Sequence, residues 1–262
     1  MLKDTDWDAL IIDRVISESL GQLSSEFRQE ILPDTTPVPV FGDYRISQVA
    51  TIALNPSSKE FPKKKESRRL MHLSDLGLSA EHYRQGLKTM SKEQATKILE
   101  KCVNYFELNS YRWFDTASKA LKLGFDASFY KKDQTKFRAC HVDLFPWATR
   151  AYSDLSLSIR QGFKQENRSF LNWFLARDQI TNIVILGNST WRELNNEFEI
   201  HKIQEEKPVI SGPPTFETGL INISGHMKPY FYNSKGPSAR GDNARKYLIH
   251  ELFGQFIKQY NV

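Results

Sequence analysis

Residues 180–194 read ITNIVILGNSTWREL. Ile183–Leu186 is apolar at four successive positions, then Gly187 breaks the run and a helix-forming stretch follows. A strand that is apolar on both faces needs cover on both faces. This is therefore a strand–turn–helix unit of a buried, parallel sheet, not half of an exposed hairpin. Apolar runs of the same kind recur at Val49–Leu54, in FRACHVDLFPWAT from Phe137, and in GLINISGH up to His226.

Helical stretches separate these runs. Residues 5–31 carry Leu10, Ile11, Val15, Leu20 and Leu23 at helical spacing and read as one helix. SKEQATKILEKCVNYFE is a helix with Ser91 as N-cap and Gln94 at the capping-box position. YRWFDTASKALKLG is a helix ending on Gly124, and SLSIRQGFKQENRSFLNWFLARD is a long helix with Gly162 as a point of breakage. The stretch GDNARKYLIHELFGQFIKQY closes the chain as a helix. Alternating strands and helices predict an α/β fold, an αβα sandwich around a mostly parallel sheet of four to five strands. The expected organisation is one domain over 1–262, with residues 1–35 as an N-terminal helical extension.

In such sheets ligands bind beyond the carboxyl ends of the strands. Asn55, Asp143–Trp147, Gly187-Asn188 and Gly225-His226 each sit where an apolar run ends. Four polar tips converging on one rim is the expectation. The stretch MKPYFYNSKGPSAR, beyond the last tip, reads as a loop.

Several chemistries lack support. There is no Walker A lysine motif, G-x-G-x-x-G, G-x-S-x-G or H-E-x-x-H, and the six histidines lack metal spacing. Cys102 and Cys140 are too few for a zinc or iron–sulfur site and read as buried apolar residues. No apolar run is long enough for a bilayer, and the start lacks a signal-peptide pattern, so the expected location is cytoplasmic. The formal net charge of +5 points to a polyanion. Basic clusters lie in KKKESRR, YKKDQTKFR and MKPYFYNSKGPSAR, the last two with interleaved aromatics that suit phosphate contact and base stacking.

ALNPS at 53–57, HVDLFPWAT, VILGNSTW and INISGH resemble, in order and character, the motifs of the uracil-DNA glycosylase superfamily. The resemblance spans roughly residues 45–260. Its first motif is commonly Gly-x-Asn-Pro-Gly, here Ala53-Leu54-Asn55-Pro56-Ser57; its second begins with a histidine after a late strand, here His226. The opening glycine is alanine, and the Pro-Ser that follows the histidine is missing, with GPSARG further on. The resemblance implies a DNA glycosylase that flips a base and hydrolyses its glycosidic bond without a cofactor. Asn55 is expected to hold the attacking water, and His226 to donate to the base oxygen that gains negative charge.

Asp143 stands where the family often carries an asparagine that reads uracil. A carboxylate only accepts hydrogen bonds, which suits the exocyclic amine of cytosine. The expected target is a modified cytosine, such as glucosylated hydroxymethylcytosine in phage DNA. The alternatives are uracil or mismatch repair, a non-catalytic nucleic-acid-binding protein, and an enzyme of free nucleotides. Phe61, Phe145 and Trp147 are the expected aromatic floor for the base. Met227, Tyr230 and Phe231 are expected to wedge into DNA, and Arg68, Arg69, Asn188, Lys228, Lys235, Ser238 and Arg240 to contact it. DNA is the expected partner, with no required protein partner and a monomeric chain.

Overall fold

A computed structural model describes residues 6–17, 23–86, 90–150, 152–210, 213–237 and 243–261. The principal helices are α1 (Lys92–Val103), α2 (Arg112–Phe125), α3 (Leu157–Ala176), α4 (Asn188–Asn195) and α5 (Asn243–Tyr260). The strands are β1 (Val49–Ala53), β2 (Ala127–Ser128), β3 (Phe137–Asp143), β4 (Asn182–Leu186), β5 (Glu199–Glu206), β6 (Phe216–Ile223) and β7 (His226–Asn233). The chain forms two compact units, each assembled from three separate stretches.

The second unit (Gly42–Ala53, Phe106–Val142 and Asn172–Val262) holds the sheet. Its order is β2-β3-β1-β4-β7-β6-β5. β2 and β3, β1 and β4, and β4 and β7 pair in parallel. β6 is antiparallel to both β7 and β5. The fold is thus α/β with a mixed, mostly parallel sheet of seven strands, more than the four to five expected. The strands not read from sequence are the two-residue β2, the polar β5, whose largely exposed residues give no apolar run to recognise, and β7.

INISGH does not end at a rim. Ser224 and Gly225, both at positive φ (52° and 87°), form a two-residue hairpin loop, with Ile223 opposite His226. Positive φ at both loop residues is the geometry that matches strand twist in tight hairpins. The residues read as a loop, from Met227 on, are therefore strand β7. Pro229 disguised it, since proline cannot donate within a sheet. It is tolerated because β7 pairs with β4 only from Tyr230 onward.

α2 and α5 pack together through two small residues. A Cβ on Gly124 would stand 2.4 Å from Ile257, and one on Gly254 would stand 2.9 Å from Leu123. Gly124 lies inside α2, which ends on Asp126 in a left-handed conformation.

The first unit comprises Met1–Phe41, Leu54–Tyr105 and Asp143–Leu171. The single helix expected over 5–31 is instead a short helix at Trp7–Leu10, a π-helical turn at Ile11–Ser17 and a helix at Ser25–Glu30; Leu20 lies outside the described residues. α1 packs on the Ile11–Ser17 turn and carries the Ser91–Gln94 capping box. α3 runs unbroken through Gly162. That glycine makes room for Phe27, whose ring would lie 1.7 Å from an added Cβ. No described helix is long and apolar enough to cross a membrane.

Candidate functional site

In the first unit two loops meet. Leu54–Phe61 follows β1, and Asp143–Thr149 follows β3. The Phe145 N–H donates to Leu54 O at 3.3 Å. The Asn55 amide Nδ2 donates to Thr149 Oγ1 at 3.1 Å, with longer contacts to Pro56 O at 3.4 Å and Trp147 O at 3.5 Å. The Thr149 hydroxyl spends its own hydrogen on Arg150 O at 2.9 Å. Every group facing Nδ2 is thus an acceptor. A flipped amide would set Oδ1 against two carbonyl oxygens, so the network fixes Oδ1 as the acceptor the side chain presents.

Asp143 is buried, and its backbone oxygen and that of Leu144 are held by the Asn167 amide at 3.5 and 2.7 Å. Glu60, in a short 3-10 turn five residues after Asn55, is only 2% exposed. Its Oε2 accepts the Tyr105 hydroxyl, and Arg69 Nη1 stands 3.7 Å from the same oxygen. Burial pushes the Glu60 carboxyl up to about 7, against the Tyr105 hydrogen bond and the Arg69 charge, while the negative charge of Asp143 adds to the rise.

Phe61 is buried edge-on to His72, with ring centroids 5.6 Å apart. His72 Nδ1 lies 3.1 Å from Asp34 Oδ2, and its Nε2 is buried without a hydrogen-bond partner. Phe145 is wholly buried, stacked on Tyr152 and Phe163 at 5.7 and 5.3 Å. That is core packing, so Phe145 offers no open face to a base. Trp147 is buried too, with an unpartnered Nε1. Arg68 is drawn onto Asp75, and Arg69 reaches Lys59 O and Glu60. Both arginines are anchored within the fold, while Lys63–Ser67 between them and the site is exposed.

The second unit contains the remaining expected residues. β1, β4 and β7 run in parallel, so Ala53, Leu186 and Asn233 end on one edge of the sheet. β3 ends there as well: Gln48 N–H donates to Arg138 O, and further along Thr51 Oγ1 donates to Cys140 O at 3.3 Å, so β1 and β3 advance together. His226 opens β7 and therefore lies at the opposite edge, exposed. Of the four expected tips, Gly225-His226 is thus not at this edge. Met227 is 43% exposed on the same distant hairpin.

Lys228 is not a phosphate contact. It is buried, and its ammonium donates to Arg177 O at 3.0 Å and Ile180 O at 2.8 Å. Tyr230 and Phe231 are not wedges. Tyr230 is buried with its hydroxyl 2.5 Å from Glu217 Oε1, and Phe231 packs edge-on to Phe125. Asn188 opens α4 and accepts the Tyr232 hydroxyl at 3.3 Å. Lys235 is exposed just beyond β7. Ser238 and Arg240 lie outside the described residues.

Sequence reading passed over Asn233. It ends β7 on the carboxyl edge, its backbone oxygen accepts Gly187 N–H at 2.8 Å, and Oδ1 accepts Lys235 N–H at 2.9 Å. Its Nδ2 is buried without a hydrogen-bond partner. Gly187 takes the positive φ of 97° that the turn after β4 requires. Among the described residues no group of three His, Cys, Asp or Glu is placed to hold a metal. No protein-family model matches the chain, and no curated protein matches it.

Proposed function

We propose that the chain is a DNA glycosylase with an αβα glycosylase-like fold, acting on a flipped, modified cytosine. The observation that carries this reading is Asn55. Its amide nitrogen is held by acceptors, which leaves Oδ1 as the atom that accepts a hydrogen from water. The water's oxygen lone pair is then free to attack the sugar carbon. Asparagine is a weak base, but an oxocarbenium-like sugar demands position more than basicity from its nucleophile. Asp143, buried on the neighbouring loop, supplies the acceptor for an exocyclic amine. Phe61 is the retained aromatic wall.

His226, which opens β7 away from the carboxyl edge of the sheet, is not the group that stabilises the leaving base.

The test is a panel of duplexes carrying uracil, a thymine mismatch, hydroxymethylcytosine or its glucosylated form, treated with alkali to cut at abasic sites. Cutting of a cytosine-derived duplex by the wild type, lost in Asn55→Ala with DNA affinity retained, is the expected result. Tight binding with no base release from any duplex overturns the enzyme reading in favour of a binding protein. Turnover of mononucleotides with little salt-sensitive DNA binding overturns it in favour of a nucleotide enzyme.

A further inference from the structure

Glu60 sits in SSKEFPKKKESRR, a run whose composition is that of a solvated loop, yet its carboxyl is buried. Burial of a carboxylate is costly unless its oxygens are satisfied. Here the Tyr105 hydroxyl and Arg69 both address Oε2. The remaining oxygen, Oε1, is where a proton on this carboxyl belongs. The charge of Asp143 raises the Glu60 carboxyl further, after the larger effect of burial. The two carboxyls belong to the loops joined by the Phe145–Leu54 and Asn55–Thr149 hydrogen bonds. Tyr105, Arg69 and Asp143 are the titratable and charged groups that act on Glu60.

We propose that Glu60 and Asp143 together read the pairing edge of a flipped cytosine-type base, the Glu60 carboxyl donating from Oε1 to ring N3 and the Asp143 carboxylate accepting from the exocyclic amine. The inference rests on the glycosylase reading and names the substrate class of that same site. Cytosine presents an acceptor at N3 beside a donor at N4, and uracil presents the reverse pair. A donor next to an obligate acceptor fits the first and opposes the second. Groups on the cytosine C5 leave this edge unchanged, so hydroxymethyl and glucosylated forms remain substrates. Burial and then the Asp143 charge both favour the protonated form of Glu60.

The experiment measures single-turnover base release from about pH 5.5 to 8.5 for the wild type, Glu60→Gln and Asp143→Asn. The same cytosine-derived and uracil duplexes are used. Wild-type release of the cytosine-type base is expected to fall about tenfold per pH unit above about 7, as the donor is lost. Glu60→Gln carries a permanent donor of the same shape and is expected to keep release while losing that alkaline limb. Asp143→Asn is expected to raise uracil release relative to cytosine by about tenfold or more. An unchanged alkaline limb in Glu60→Gln overturns the inference, as does a wild-type preference for uracil. That preference is read on the wild type and decides the matter even if a variant fails to fold. If the wild type releases no base from any duplex, the glycosylase reading falls and takes this inference with it. Release with an unchanged limb overturns this inference alone.

Discussion

Asn55 Nδ2 donates to Thr149 Oγ1 at 3.1 Å, joining residues ninety-four positions apart in the chain. The bond orients Asn55 without touching a substrate. Thr149→Val removes the acceptor and keeps the shape, so the amide loses its anchor while the fold remains. Base release is expected to drop by about 10²-fold, the scale of a slight misplacement of a reacting group. Asn55→Ala is expected to drop it by about 10²–10⁴-fold. DNA affinity is expected to change little in either. Single-turnover rates beside binding isotherms check this, and equal losses in rate and affinity would count against an orienting role.

The two edges of the sheet make opposite forecasts. Lys235 stands exposed beyond the end of β7, and His226 and Met227 lie on the far hairpin. Lys235→Ala is expected to weaken DNA binding about equally across sequences and to lower the salt slope by about 1. His226→Ala and Met227→Ala are expected to leave base release and affinity within about twofold. Titrations at several salt concentrations separate the two. A His226→Ala enzyme that is inactive but folded would restore the histidine to the site.

Apolar runs made β1, β3 and β4 legible, because strands covered on both faces need no alternation. The Gly187 turn was legible for the same reason. β5 was not, since Glu199–Glu206 is an exposed edge strand with no apolar face. β7 was hidden by Pro229 and by Lys228, whose charge looks solvated in sequence but is spent on two carbonyl oxygens. The strand end expected at His226 is therefore a hairpin, and β7 reaches the carboxyl edge at Asn233. Asn55 and Asp143 were legible as strand ends. Glu60 was not, because nothing in a lysine-rich run marks the one carboxyl that turns inward.

Lys228 therefore bears on stability. Desolvation lowers its pKa, and its ammonium ties Arg177 O to Ile180 O. Lys228→Met keeps the aliphatic stem but leaves both carbonyl oxygens without this donor. A loss of about 1–3 kcal/mol is expected from denaturant unfolding, with DNA affinity and its salt slope unchanged. A phosphate-binding lysine would give the reverse pattern, with normal stability and weaker, less salt-sensitive binding.

His250, on α5, gives the pH dependence its clearest sign. Burial alone holds its imidazole down at about 4, against an ordinary value of 6.5, and Nδ1 is buried without a hydrogen-bond partner. The folded chain therefore keeps His250 neutral where the unfolded chain takes up a proton. Its contribution is complete above pH 6.5 and is lost as pH falls from there through about 4, some ~3 kcal/mol across that window. His250→Phe removes the titrating group and is expected to flatten this acid limb of the unfolding free energy. Glu60 acts in the other direction. Its carboxyl is raised from 4.5 to about 7, so its contribution is complete below pH 4.5 and lost as pH rises through about 7. In His250→Phe the Glu60 slope is left exposed, and a His250→Phe, Glu60→Gln double variant is expected to lose both slopes. Denaturant midpoints from about pH 4 to 8 for the wild type, His250→Phe and the double variant check the assignment, and an acid limb that persists unchanged in His250→Phe would contradict it.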